Sequence, residues 1–180
     1  WLVTDKKCDL TVIPLKNYKH SKQYSLPIRS SPNLPNDKAI NLYPSLCFFE
    51  GTNVSIGRGT NKQFQIYGSP FMTDEDLSYC FTPQPNYGSK YPKHQNIECC
   101  GVDLSETAYL SEIDLSYLIE AYSSTLDKSK FFNNFFTKLA GTKTLQQQLK
   151  NGISFKEISD SWQPKIKEFK KIREKYLLYE

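Results

Sequence analysis

Apolar positions follow two different patterns along this chain. In the N-terminal half they come in short runs separated by turn-forming residues; in the C-terminal half they recur at helical spacing. Leu10-Thr11-Val12-Ile13 predicts a short strand, and Leu46-Cys47-Phe48-Phe49 predicts a second, buried one leading straight into Glu50-Gly51-Thr52-Asn53. Phe64-Gln65-Ile66-Tyr67 alternates as a strand does and stops at Gly68-Ser69-Pro70. Between these runs lie two loops. Ser30-Ser31-Pro32-Asn33-Leu34-Pro35-Asn36-Asp37 carries two prolines and several turn formers, and the stretch from Thr82 to Gln95 is rich in Pro, Asn, Gly and Lys. An irregular loop of that length in a compact domain is usually functional or mobile.

In the second half, Leu115, Leu118, Ile119, Tyr122 and Leu126 share one helical face and predict an amphipathic helix over about 111–126. A short helix over about 144–150 should stop at Asn151-Gly152. Ser154 and Glu157 have the spacing of a capping box. Pro164 suits the first turn of a last helix whose buried stripe would be Ile166, Phe169, Ile172 and Tyr176. No internal repeat or linker interrupts the chain. The expected fold is therefore α+β: a single domain over residues 1–180, with a mixed β-sheet packed by helices that concentrate in the C-terminal half.

Composition narrows the class. Of the 180 residues 38% are hydrophobic, with 12 Tyr and 11 Phe, which is enough burial to exclude a disordered tail. No apolar run approaches the roughly 20 residues that span a bilayer, so no membrane span is expected. The net charge of +4 is carried mainly by lysines, the arginines being Arg29, Arg58 and Arg173. The densest basic group, Lys165, Lys167, Lys170, Lys171 and Lys175, is interleaved with Glu168 and Glu174, as on a solvated helix face. Nucleic acid is therefore not an expected partner. Cys8, Cys47, Cys80, Cys99 and Cys100 form no CxxC pair, and His20 and His94 lie far from each other and from any ligand spacing. No metal and no cofactor is indicated. Cys47 reads as core, and Cys47 or Cys80 could pair with Cys99 or Cys100 in an exported protein. The chain opens at Trp1 without an initiator Met or a signal-peptide pattern, as expected of a domain from a longer product.

The stretch with most chemistry in it is Glu50-Gly51-Thr52-Asn53-Val54-Ser55-Ile56-Gly57-Arg58-Gly59-Thr60. Its glycines allow close backbone approach, and Arg58 offers a planar fork suited to a carboxylate or phosphate. Burial of Glu50 behind an apolar strand would raise its pKa and suit it to acid or base work. Thr52, Asn53, Ser55 and Thr60 are groups a sugar site would use, and Asn33 and Ser31 could add polar contacts from their loop. Tyr43 and Tyr67 could stack on a sugar face, though core is the commoner fate. Lys93, in Tyr91-Pro92-Lys93-His94, could meet an anion but reads more simply as a solvated loop lysine. A turn network in which Glu50 and Arg58 merely pair to hold two loops fits the residues equally well. A P-loop is excluded by the missing GKS/T ending, and no Ser/His/Asp or Cys/His triad is suggested.

Several of these segments resemble the NamZ-type exo-β-N-acetylmuramidases, the DUF1343 family (glycoside hydrolase family 171), in their Bacteroidetes-like form. The resemblance lies in Leu10-Thr11-Val12-Ile13-Pro14, Ser31-Pro32-Asn33-Leu34-Pro35, Leu42 through Ser55, Gly57-Arg58-Gly59-Thr60, Gly68-Ser69-Pro70, Cys100-Gly101-Val102-Asp103-Leu104, Leu139-Ala140-Gly141 and the ending Trp162…Phe169…Arg173…Tyr176-Leu177-Leu178-Tyr179. It departs at Ser30, where Pro is usual, and at the doubled Cys99-Cys100. It implies a two-domain hydrolase with its site in the cleft between an N-terminal Rossmann-like domain and a smaller α+β domain. Residues 1–180 would be that C-terminal, cleft-forming part, inactive by itself and partnered by the catalytic domain. The implied reaction releases terminal N-acetylmuramic acid from the non-reducing ends of peptidoglycan fragments, in a periplasmic or secreted location. Glu50 would be one of the two carboxyl groups such hydrolysis needs, or a substrate-positioning residue, the latter favoured. Asn33, Thr52, Asn53, Arg58 and Thr60 would bind substrate, with Arg58 on the lactyl carboxylate. The competing reading is a non-catalytic glycan-binding or structural docking module.

Overall fold

The first regular element is one the apolar runs conceal. The computed structural model describes residues 9–73 and 77–179, so Trp1 and Cys8 lie outside the described residues. Within them, Asp37–Leu46 forms helix α1. Asn36 caps it, its side chain accepting from Ala39 N–H at 2.9 Å, and Asp37 favours the positive end of the helix dipole. Ala39, Leu42 and Leu46 form its buried face, while Pro44 is tolerated near the end. The expected strand over Leu46–Phe49 is corrected accordingly: Leu46 closes α1, and Cys47–Gly51 is a 3-10 turn. Four apolar residues in a row suit a buried helix end as well as a strand.

Strands β1 (Ile66–Ser69), β2 (Tyr79–Phe81) and β3 (Cys99–Asp103) form one sheet in the order β1-β3-β2. Both pairings are antiparallel, where the sequence suggested a mixed sheet, with Gly68 opposite Gly101 and Cys80 opposite Cys100. All of β1 is buried, so its residues do not alternate between core and solvent. The class is α+β as expected. Helices α2 (Ser116–Ser124), α3 (Phe136–Ala140), α4 (Thr144–Lys150) and α5 (Phe155–Glu174) follow the sheet.

Helix α2 is shorter than the expected 111–126. Asp114 accepts from Ser116 N–H at 2.8 Å to open it, and Leu126 lies beyond its end, 71% exposed. Helix α4 falls where expected and runs out into Gly152 at φ +69°. The Ser154–Glu157 capping box forms: Ser154 N–H donates to Glu157 Oε2 at 3.1 Å, and Glu157 N–H donates to Ser154 Oγ at 3.3 Å. It starts α5, which continues through Pro164 rather than beginning there. The buried stripe expected on this helix is also corrected. Ile166, Phe169, Ile172 and Tyr176 are 36–53% exposed, and Ile158 is its one buried residue.

The chain divides into two compact units, Ser25–Trp162 and the pair of segments Trp1–Tyr24 and Gln163–Glu180. In the smaller unit, Leu15 N–H donates to the Tyr179 hydroxyl at 2.6 Å, and Tyr18 meets the Tyr179 ring edge-on at 4.8 Å. Leu10–Ile13 is not a strand. Among the described residues nothing pairs with it, and Leu10 and Ile13 are exposed. A strand without a ladder partner leaves its backbone to water and gains little. The larger unit holds the core, built from Leu42, Leu46, Phe49, Val54, Phe64, Tyr67, Leu115, Leu118, Phe131, Phe136, Leu149 and Ile158. Each such side chain removed from water contributes about 1.5–3 kcal/mol. A second small cluster joins Ile66, Phe81 and Cys99. Among the described residues no helix is long and apolar enough to cross a membrane.

Candidate functional site

Glu50 is placed by its neighbours. Phe49 is fully buried and stacks on Tyr67, centroids 5.0 Å apart and planes 18° from parallel, and Gly51 is buried against the backbone of α3. The chain then runs through Thr52–Ile56 beside β1, with Ser55 exchanging backbone hydrogen bonds with Gly68 at 2.8 and 3.0 Å. Asn53 N–H donates to the Phe131 carbonyl at 2.8 Å. A buried residue on each side of Glu50 therefore fixes its Cα before its side chain makes any contact.

Glu50, Val54, Ser55, Ile56, Arg58, Lys93 and Phe135 line a cavity of about 240 Å³. The Arg58 guanidinium pairs with the Glu50 carboxylate and lies 5.3 Å from the Phe64 ring centroid, within cation–π range. Two cations to one carboxylate leave the lining with an excess of positive charge beside the apolar edge of Phe135. The Ser55 hydroxyl, 2% exposed, and the Asn53 side-chain carbonyl are buried without a hydrogen-bond partner in the structure.

Lys93 is a cavity-lining residue that sequence reasoning set aside. Its ammonium donates to three carbonyls, Phe49 at 3.1 Å, Thr52 at 2.5 Å and Val54 at 2.9 Å, so each of its three protons has an acceptor. Burial lowers its pKa to about 8; Glu50 opposes that fall and Arg58 adds to it. Beside it, His94 Nε2–H donates to the Asn53 carbonyl at 2.5 Å, and its pKa is lowered by burial and further by Lys93, against that carbonyl. No sequence signal separates this lysine from a solvated one, except that it lies in a long loop with no regular structure.

Of the other residues singled out in the sequence, Ser55 also lines the cavity, and the rest lie outside its lining. Thr52 Oγ1 donates to the Phe49 carbonyl at 2.9 Å and accepts from Val54 N–H at 3.0 Å, closing its own turn at 2% exposure. Thr60 Oγ1 likewise donates to Gly57 and accepts from Lys62 N–H. Asn33 donates to the Gly88 carbonyl at 2.7 Å, which anchors the Asn86–Ser89 turn, and Ser31 accepts from Asn33 N–H. Asn53 contributes its backbone to the loop network. Tyr67 is core, and Tyr43 leans on Phe64 at 40% exposure. Of the six residues assigned to the site, only Glu50 and Arg58 line the cavity.

The glycines around Arg58 bring two segments of chain together rather than clearing space for a ligand. Gly57 and Gly59 have φ of +74° and +82°, and a Cβ on Gly59 would lie 2.6 Å from the Gln84 carbonyl and 2.8 Å from Pro92. Gln84 N–H donates to the Gly59 carbonyl at 2.9 Å, and Asn86 to that of Thr60 at 3.3 Å. The loop carrying Lys93 is thus packed onto the turn carrying Arg58. A disulfide between Cys80 and Cys100 staples its base across β2 and β3. The Sγ atoms of those two cysteines and the Glu98 carboxylate lie within 4.8 Å of one another, but sulfurs bonded to each other are not thiolate ligands. Cys99 is buried with its thiol pushed up to about 12 by burial and by Glu98, and the Cys47 thiol is raised by burial and by Glu50.

Fold and site together define a small α+β domain with a net-cationic cavity built from a 3-10 turn, a glycine-flanked arginine and a stapled loop. The family described as exo-β-N-acetylmuramidase NamZ, C-terminal, matches residues 41–179, and the chain belongs to it. The peptidoglycan β-N-acetylmuramidase NamZ of Bacillus subtilis (strain 168) is 31% identical over 193 residues, covering 95% of this chain and 46% of that protein. A DUF1343 family protein from Bacteroides fragilis NCTC 9343 superimposes with a TM-score of 0.89 at 48% identity, over 96% of this chain and 50% of that one. A second DUF1343 protein of the same organism shares the fold at a TM-score of 0.71 and 22% identity, over 98% of this chain and 52% of its own. The chain therefore spans about half the length of the relatives it matches.

Proposed function

We propose that this chain is the cleft-forming half of an exo-β-N-acetylmuramidase that releases terminal N-acetylmuramic acid from the non-reducing ends of peptidoglycan fragments. The observation that supports this reading is the cavity itself: Arg58 and Lys93 against one carboxylate, with Phe135 beside them. An acidic sugar offers the complementary parts, an apolar ring face and a lactyl carboxylate. Arg58 has N–H donors beyond those facing Glu50, and a bidentate contact to that carboxylate is its role here. Glu50, held by Arg58, positions the sugar; the carboxyl groups that break the glycosidic bond would come chiefly from the half of the family's length that this chain does not span. That half is the expected partner. A periplasmic or secreted location agrees with the Cys80–Cys100 disulfide, since such bridges persist in oxidising compartments.

The test is hydrolysis of a chromogenic N-acetylmuramic acid β-glycoside by a protein carrying both halves and by this chain alone. Turnover by the longer protein only is the expected result; no turnover by a well-folded longer protein refutes the proposal. The second reading, a non-catalytic docking or glycan-binding module, draws on the Glu50–Arg58 pair, which also ties two loops together. Glu50→Gln and Arg58→Ala in the longer protein separate the two. Lost turnover at an unchanged melting temperature supports the enzyme half, and a lowered melting temperature with near-normal turnover supports the module. Arg58→Lys should weaken muramic acid binding, because a point charge does not reproduce the fork.

A further inference from the structure

We propose that Lys93 is the positioning residue of this site, a fixed cation seated on the carbonyls of Phe49, Thr52 and Val54 that holds the Glu50 turn in its working geometry. The inference rests on the reading of the cavity as the sugar site. Its geometry is specific. One of the three carbonyls comes from the residue before Glu50 and the other two from just after it, so the ammonium clasps the turn from both sides. With all three protons engaged on backbone oxygens, Lys93 has none to give a substrate, whereas Arg58 retains free N–H groups. The two cations therefore divide the work: Arg58 faces the ligand and Lys93 orders the backbone beneath it. Asn133 supports the same turn, its side chain donating to the Glu50 carbonyl at 3.3 Å and its N–H to the Gly51 carbonyl at 2.9 Å.

The charged groups facing Lys93 are Glu50 and Arg58 across the cavity, with His94 next to it on its own loop. Loss of a proton from Lys93 leaves two N–H donors for three carbonyls and removes one of the two positive charges that face Glu50, the other being Arg58. The His94 transition lies below its ordinary 6.5, well clear of the Lys93 transition near 8.

The experiment follows the Glu50 carboxyl carbon by NMR in 13C-labelled chain from pH 6 to 10. The expected trace has a step with its midpoint near pH 8 in the wild type and none in Lys93→Met. Lys93→Arg should not restore the wild-type resonance, since a planar guanidinium cannot aim at three carbonyls converging on one point. Adding ethylammonium to Lys93→Ala should restore it by refilling the cradle. In the longer protein, Lys93→Met should lower kcat by about 10- to 100-fold, the range a misplaced group brings, with KM nearly constant. A Glu50 resonance that titrates alike in wild type and Lys93→Met overturns the proposal, as does full rescue by Lys93→Arg or a rise confined to KM. The wild-type titration needs no variant to fold, and its lacking a step near pH 8 overturns the proposal by itself. If the resonance behaves as expected while the longer protein hydrolyses no muramic acid glycoside, the positioning role stands and the muramidase reading fails.

Discussion

Replacing Cys80 and Cys100 by alanine removes the staple at the base of the loop that delivers Lys93, and its cost can be worked from the structure. The two cysteines are 20 residues apart in sequence and directly opposite each other on β2 and β3. Cross-linking a loop of that size withholds about 11 cal/mol/K of conformational entropy from the unfolded chain, or about 3 kcal/mol at 25 °C. Against a typical total of about 5–15 kcal/mol, that is a large share. The double variant and the wild type should each be unfolded in urea with and without reductant, with the midpoint and slope fitted together. The double variant is expected to unfold at lower urea, and reductant should bring the wild type to the same place while leaving the variant unmoved. The loss should also be local. Amide protection over residues 82–98 should fall more than protection in α2, because apart from the Lys93 ammonium the loop is tied down by scattered hydrogen bonds such as those at Gly59 and Thr60. An unchanged midpoint in the double variant would refute the reasoning, and so would a reductant effect that persists without the two cysteines.

Three further outcomes follow from the same contacts. Gly51→Ala would place a Cβ 2.4 Å from the Phe136 Cα and 2.7 Å from its N, so α3 must shift; a loss of about 1–3 kcal/mol is expected in thermal or urea unfolding, and a neutral result would mean that α3 is not seated there. Ser154→Ala removes the capping box that starts α5 and should cost about 1 kcal/mol, read as faster amide exchange in the first turn of that helix. The third outcome concerns pH. Burial lowers the Lys93 pKa from 10.5 to about 8, so between those values the unfolded chain holds a proton that the folded chain has released. The contribution of this group to stability therefore rises as pH increases from 8 to 10.5, with a slope of at most about 1.4 kcal/mol per pH unit. The stability difference between wild type and Lys93→Met should shift in favour of the wild type across that window, and a flat difference would mean that the ammonium is not buried.

Much of the fold was legible wherever a local signal decides the structure. The Asn151-Gly152 stop, the Ser154–Glu157 box and the apolar spacing of Leu115, Leu118 and Ile119 each act within one or two helical turns, and each produced its element. Where the decision is tertiary the sequence was ambiguous. The run Leu46–Phe49 is equally apolar as strand or helix end, and Asn36-Asp37 caps a helix with the same side chains that would have made a turn. Pro164 is a plausible first-turn residue, yet a stronger start upstream absorbs it into the interior of α5.

The candidate site divides along a different line, the reach of each side chain. The short hydroxyls of Thr52 and Thr60 find acceptors and donors within three residues and are used up by their own turns, which is the ordinary fate of such groups beside glycine. The long side chains of Glu50, Arg58 and Lys93 reach past their local backbone to line the cavity, which Val54, Ser55, Ile56 and Phe135 complete. Of the segment Glu50 to Thr60, the structure therefore brings the Glu50 and Arg58 side chains to the cavity and keeps those of Thr52 and Thr60 in their own turns. Lys93 could not be found the same way. Its partners are backbone carbonyls some forty residues earlier in the chain, and a carbonyl is offered by every residue, so no composition or spacing marks the three that matter. What marks them is the fold: a disulfide, two positive-φ glycines and a stacked Phe49 together place one loop against one turn, and the cradle exists only where they meet.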